Sequence, residues 1–222
     1  MAQHLNIDFV SDVACPWCAI GLYSLQEALQ RTGDGITADI KFRPFELNPE
    51  MGSIGQNIDE HIGQKYGSAG EQLESSRRML RERAAGVGFE INSNAASRIY
   101  NTFDAHRLLH WAESRGRQLA LKRALFKANF TDNLDVSDRD VLVTAAQDAG
   151  LDAGEAREVL ASGRYSEEVR SAEALWQSRG IQAVPGIVIN GKWLISGGQP
   201  PEVFEQALRN IASELDEAPP AS

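Results

Sequence analysis

The chain has two cysteines in 222 residues, and only Pro16 and Trp17 stand between them: Cys15-Pro16-Trp17-Cys18. A thiolate attacks disulfides and a thiol does not, so such a pair works only where the protein favours negative charge on one sulfur. Pro16 suits the first position of a helix, which makes Cys15 its N-cap. Unpaired N–H groups and the positive end of the helix dipole would then surround the Cys15 sulfur. Cys18 lies one turn further in and shares an apolar stripe with Leu22, Leu25 and Leu29, so it is expected to be the more buried thiol. The roles divide accordingly: Cys15 attacks a disulfide and Cys18 resolves the mixed disulfide. Trp17 is expected to flank the reactive sulfur and offer an apolar contact to a substrate.

The bulk composition leaves room for that chemistry and narrows the rest. Apolar residues make up 42% and charged residues 24%, as in ordinary globular proteins. The formal net charge of -9 argues against a nucleic-acid partner, which needs clustered Lys and Arg. The densest basic stretch, Arg77, Arg78, Arg81 and Arg83, is interleaved with Glu71, Glu74 and Glu82 and reads as a solvated helix face. No signal peptide or membrane span is legible, so a cytoplasmic setting is expected. Two lone cysteines there point to redox chemistry or metal before a structural staple. His106-x-x-x-His110 would formally complete a Cys2His2 zinc set. A zinc finger, however, separates its pairs by about 12–15 residues, and these pairs fall in different parts of the chain. No metal is expected.

The elements that must hold the thiols can be read in order. Leu5, Ile7 and Phe9 alternate with polar neighbours and predict a strand over Leu5–Val10. The thiol-bearing helix follows and stops at Gly33. A second strand spans Ala38–Phe45. Then comes a long helical block with helices expected over Asn57–Tyr66, Ala69–Ala85, Ala95–Ser114 and Leu119–Phe130. Phe89–Ile91 reads as a brief extended piece. Ser137-x-x-Asp140 and Asp152-x-x-Glu155 open two more helices, and Tyr165–Arg179 is the last of the block. Strand pattern returns at Ile187–Ile189 and Trp193–Ile195 around Asn190-Gly191, the strongest short hairpin signal. A final helix starts at Pro200-Pro201 and runs to about Leu215. The result is an α/β sheet domain carrying an all-helical insertion.

This order, with its particular residues, resembles the DsbA branch of the thioredoxin superfamily, and within it the FrnE-type oxidoreductases. Ser11–Cys18 looks like the active-site block, and Arg43–Pro49 like the segment after the second strand. Asn101–Leu108 looks like a helical-domain motif, Gly180–Gly186 like the cis-proline loop, and Ser196–Pro200 like the entry to the last helix. The resemblance implies a thioredoxin-like fold with a large helical insertion. Residues 1–50 and 181–215 would form the thioredoxin-like domain, 51–180 the insertion and 216–222 a flexible tail. It further implies that the Val184–Pro185 bond is cis, faces the thiols and leaves the Val184 backbone free to pair with a substrate. The partners would be protein or small-molecule thiols and disulfides, with no bound cofactor beyond the redox-active disulfide and with glutathione a candidate co-substrate. FrnE-type proteins can carry further cysteines in a C-terminal extension, and this tail has none. The 2-hydroxychromene-2-carboxylate isomerases and kappa-class glutathione transferases share the implied fold but place a Ser at the reactive position. A chaperone-like peptide-binding module would keep the cleft without turnover.

Further candidates surround the motif. An acid beneath the dithiol could take the Cys18 proton. Asp8, on the first strand, fits that position, whereas Asp12 in the loop reads first as a turn residue. Ile99, Phe103, His106 and His110 share a helical stripe. Either that stripe packs on a neighbour, or His106 and Arg107 line a cleft between domains, where His106 would add positive charge. Asn48 caps the turn before Pro49 or lines the same cleft.

Overall fold

Alternation in the first strand sets the layering. The computed structural model describes residues 2–67 and 70–217 and places β1 at Gln3–Ser11. Leu5, Ile7 and Phe9 enter one apolar cluster, whereas Val10 joins another with Phe45, Trp176 and Val188. The strand is thus apolar on both faces near its C-terminal end, as a central strand must be. Next come α1 (Pro16–Thr32) and β2 (Ile36–Pro44), which runs parallel to β1 with Phe42 opposite Phe9.

The insertion comprises β3 (Gln56–Asn57), α2 (Ile58–Tyr66), α3 (Glu71–Ala85), β4 (Arg98–Ile99), α4 (Phe103–Glu113), α5 (Gln118–Phe126), α6 (Arg139–Asp148), α7 (Ala153–Ser162) and α8 (Ser166–Ser178). The chain then returns through β5 (Gly186–Ile189), β6 (Trp193–Ser196) and α9 (Pro201–Glu217). The sheet order is β2-β1-β5-β6, with β5 antiparallel to both neighbours. This mixed sheet with its helical insertion is the expected thioredoxin-like arrangement. Asn190 and Gly191 both take positive φ, as the tight hairpin between β5 and β6 requires.

Helices α1 and α9 cover one face of the sheet through Leu22, Leu25, Phe204 and Leu208. Trp176 of α8 covers the other face. A separate core formed by Leu108, Trp111, Leu121, Leu142 and Val159 holds α4 to α7 together. The exposed edge of β2 is closed by a side chain. Gln118 Oε1 accepts from the Phe42 N–H at 2.8 Å, and its Nε2 donates to the Phe42 carbonyl at 3.1 Å. One amide thereby stands in for a neighbouring strand. Among the described residues no helix is long and apolar enough to cross a membrane.

Several local expectations need correction. Residues 95–102 are not helical. Asn94 and Asn101 accept from the N–H groups two residues on, and Arg98–Ile99 pairs with Gln56–Asn57 in a short ladder. Local Asx turns have displaced the first turns of the expected helix. Phe89 and Ile91 are buried in the core but form no strand. The N-cap of α6 is Asp138 rather than Ser137: its carboxylate accepts from the N–H groups of Asp140 and Val141. Helix α5 ends at Phe126 in a π-type turn. Helix α9 continues through Asp216 and Glu217, and residues 218–222 of the expected tail lie outside the described residues.

Candidate functional site

Cys15 caps α1 with extended backbone, and Pro16 holds the first helical position. Its carbonyl accepts from the Cys18 and Ala19 N–H groups at 3.0 and 3.3 Å. No acidic residue lies in the first turn to compete for the positive helix end. Both cysteines are free thiols. Cys15 is 4% exposed and Cys18 0%. Burial, followed by the neighbouring Cys15, pushes the Cys18 thiol well above its ordinary value. The inner sulfur therefore stays protonated until something lowers the cost of its charge.

The Val184–Pro185 loop closes over the outer sulfur. Its peptide bond is cis, and the Cys15 thiol donates to the Val184 carbonyl at 3.8 Å. Pro185 is buried, and its own carbonyl accepts from the Gly197 N–H at 2.8 Å. The turn before α9 thus fixes the loop. Gly198 makes that turn fit: a Cβ there would stand 2.6 Å from the Trp17 carbonyl oxygen and 3.4 Å from the Trp17 ring. Trp17 is accordingly half-buried, packed against this turn and on the core that holds both sulfurs. Because the clash would be with backbone, Gly198→Ala is expected to cost about 1–3 kcal/mol of stability. The same change should speed alkylation of Cys15 as Trp17 shifts. Urea unfolding and timed labelling with iodoacetamide read the two effects.

Asp12, read first as a turn residue, is the most connected side chain at the site. It is 1% exposed. Its Oδ2 accepts from the Leu47 N–H at 2.7 Å, and its Oδ1 from the Thr102 hydroxyl at 2.8 Å and the Ala14 N–H at 3.2 Å. His106 Nε2 stands 3.5 Å from Oδ1. Burial by itself would raise this carboxyl, but the nearby His106, with the hydrogen bonds from Leu47 and Thr102, outweighs it and holds the group below its ordinary value. One carboxylate thus ties the thiol loop to the segment after β2 and to the start of α4.

Asp8 does not lie beneath the dithiol. It is partly exposed and pairs with Arg43 at 2.7 Å, because the period of two carries it to the same face as Val10, two residues further from the thiols. Arg107 does not line a cleft either. It turns into the helical core, donating to the carbonyls of Arg164 and Val159 and to Asp104. One residue along α4 is a rotation of about 100°, so His106 and Arg107 cannot share a face. His106 is buried behind Asp12. Asn48 accepts from Lys65 at 3.0 Å and lines a cavity of about 210 Å³ that opens beside Ala14 and Pro16, walled by Leu47, Ile58, Ile62 and Phe130.

Other groups escaped the sequence reading. Thr102 lies within Asn101–Leu108 but carries no signal of its own. Lys122 is completely buried on α5. Its only signal is its place four residues before Phe126 within a broad apolar face. Behind Asp12, Arg170 joins Glu46 and Glu173, two carboxyls that burial raises above their ordinary values. Among the described residues no three His, Cys, Asp or Glu side chains are grouped to hold a metal ion.

Residues 6–209 match the family described as the DSBA-like thioredoxin domain. A probable DsbA oxidoreductase from Streptomyces coelicolor is 37% identical and superposes with a TM-score of 0.89, covering 99% of this chain and 93% of that one. The uncharacterized protein YwbO of Bacillus subtilis is 25% identical over 213 residues, which is 94% of this chain and 96% of that protein. The fold alone extends to a 2-hydroxychromene-2-carboxylate isomerase, 16% identical with a TM-score of 0.72 over 96% of this chain and 100% of that one.

Proposed function

Since the chain belongs to the DSBA-like thioredoxin domain family, we propose that it is a thiol–disulfide oxidoreductase whose working pair is Cys15 and Cys18. Cys15 as thiolate attacks one sulfur of a substrate disulfide, and the other sulfur leaves as a thiolate that takes a proton. Cys18 then gives up its proton and attacks the Cys15 sulfur. The Cys15–Cys18 bond forms, and the second substrate thiolate departs and is protonated. Run backwards, the same steps oxidise a substrate dithiol.

The observation that carries this reading is the asymmetry of the pair. Cys15 sits at the helix N-terminus against the Val184 carbonyl, while Cys18 is sealed behind it. The Val184–Pro185 loop offers backbone to an incoming peptide, and the apolar cavity beside Pro16 takes a side chain or a small disulfide. Glutathione in a reducing cytoplasm fits as the co-substrate thiol. Asp12 we assign to holding the loop, since its oxygens are already taken by hydrogen bonds.

Trapping tests the assignment. Cys18→Ser treated with oxidised glutathione should accumulate one mixed disulfide per chain at Cys15, visible by mass spectrometry. Its release should be slower than in the wild type by at least about 10²-fold, because an intramolecular thiol has been lost. A Cys18→Ser protein that forms no adduct, or carries it elsewhere, would refute the division of roles.

A further inference from the structure

We propose that Lys122 is the buried counter-charge of the dithiol: from the inserted helix α5 it favours negative charge on the Cys15–Cys18 pair, and so sets how strongly the pair oxidises. The inference rests on the dithiol reading above.

Lys122 is completely buried, and among the described residues its Nζ has no hydrogen-bond acceptor. An ammonium taken from water is costly even after the surroundings relax. Nζ lies 4.9 Å from the centroid of Phe126 and 5.8 Å from that of Phe42. Such cation–π contacts return less than the desolvation costs, which leaves the charge undercompensated. A charge kept at that cost needs an opposite charge that appears at some stage of the cycle.

The sulfurs supply it. Phe42 and Phe126 belong to the same apolar cluster as Cys15 and Cys18, so ammonium and thiols share one low-dielectric interior where attraction is weakly screened. Lys122 lowers the cost of charge on Cys18, and both sulfurs together with Asp12 favour the charged lysine. Burial is the larger influence on the lysine and brings it down to about 8. Lys122 also lines a small cavity of about 60 Å³ together with Arg43, His106, His110 and Glu113. Asp12 adds a standing negative charge that the redox cycle does not change, and its three hydrogen bonds come from elsewhere than Lys122; Asp8 is held outside by Arg43.

The redox consequence follows from charge. In the disulfide form neither sulfur is charged and the ammonium lacks that partner. In the dithiol form one sulfur of the pair can ionise and compensate that charge. The ammonium therefore favours the dithiol and makes the pair a stronger oxidant. Resolution takes up no net proton: Cys18 releases one to its surroundings as it attacks, and the departing thiolate takes one up. The electron pair of Cys18 forms the new S–S bond as the old pair leaves with the substrate sulfur.

The test is the equilibrium of wild type and Lys122→Met with glutathione, combined with urea unfolding. The variant should shift about tenfold toward its disulfide, about 30 mV more reducing, without loss of stability. A merely structural lysine would change stability and leave the potential alone. A second measurement needs no variant. The lysine 13Cε resonances of the wild type should include one titrating near 8 in the dithiol form and lower in the disulfide form. It is recognisable because the other four lysines are exposed. Equal potentials within twofold, or one midpoint in both redox states, would overturn the role of Lys122 alone. A wild type that does not equilibrate with glutathione would overturn the dithiol reading and this inference with it.

Discussion

Cys15→Ser is expected to reduce disulfide exchange to the uncatalysed background, a loss of at least about 10³-fold. A serine hydroxyl at the helix N-cap keeps the hydrogen bonds of the loop but cannot form a disulfide, so no mixed intermediate exists. Cys18 cannot substitute. It is 0% exposed, and burial holds its thiol in the neutral form. Reduction of insulin by dithiothreitol and direct exchange with oxidised glutathione both measure the loss. The fold should survive, since the Val184 carbonyl accepts from a hydroxyl as readily as from a thiol. Exchange at the wild-type rate in this variant would eliminate the dithiol mechanism. Glutathione-dependent turnover of an aromatic pyruvate-type substrate would point instead to the isomerase that shares the fold. Aggregation suppression without any redox rate in the wild type would point to a peptide-binding module.

The parts of the fold that could be read from sequence are those set within a few residues. Pro16 at the first helical position, the glycine stops and Asn190-Gly191 between two apolar runs each act locally, and each stands where its chemistry places it. Residues 95–102 failed for the opposite reason. Their apolar spacing suited a helix, but Asn94 and Asn101 took the nearby N–H groups, and a distant strand claimed Arg98 and Ile99. The site divides in the same way. The two thiols and their likeness to a known block were legible, because adjacent residues carry them. The choice between Asp8 and Asp12 was not, since it depends on Leu47, Thr102 and His106, which arrive from other elements. Lys122 is the extreme case. On α5 it is a charged residue within an apolar face, and the elements packed on that face, Phe42 of β2 among them, make it an interior group.

Asp12→Ala is expected to cost about 3–5 kcal/mol at neutral pH, the range for breaking a buried, hydrogen-bonded charge. The variant leaves the Leu47 and Ala14 N–H groups and the Thr102 hydroxyl without their acceptor, and His106 without its carboxylate. It also frees the thiol loop from α4, so exchange should slow even in molecules that remain folded. The pH dependence identifies the cause. The folded Asp12 carboxyl lies below its ordinary value, so the unfolded chain binds the proton more readily. Its stabilisation is therefore fully present above the unfolded value, about 4, and is lost as pH falls through the folded value. Glu46 and Glu173 act in the opposite sense. Burial raises them, so their contribution to stability falls as pH rises from their ordinary value toward the folded one. The wild-type curve mixes both signs, and subtracting the variant isolates Asp12. Urea unfolding of both proteins from pH 7 down to pH 3 should show the gap between them narrowing below about pH 4. A gap that stays constant across that range would mean that Asp12 acts by shape and not by charge, and that the thiol loop is held by packing alone.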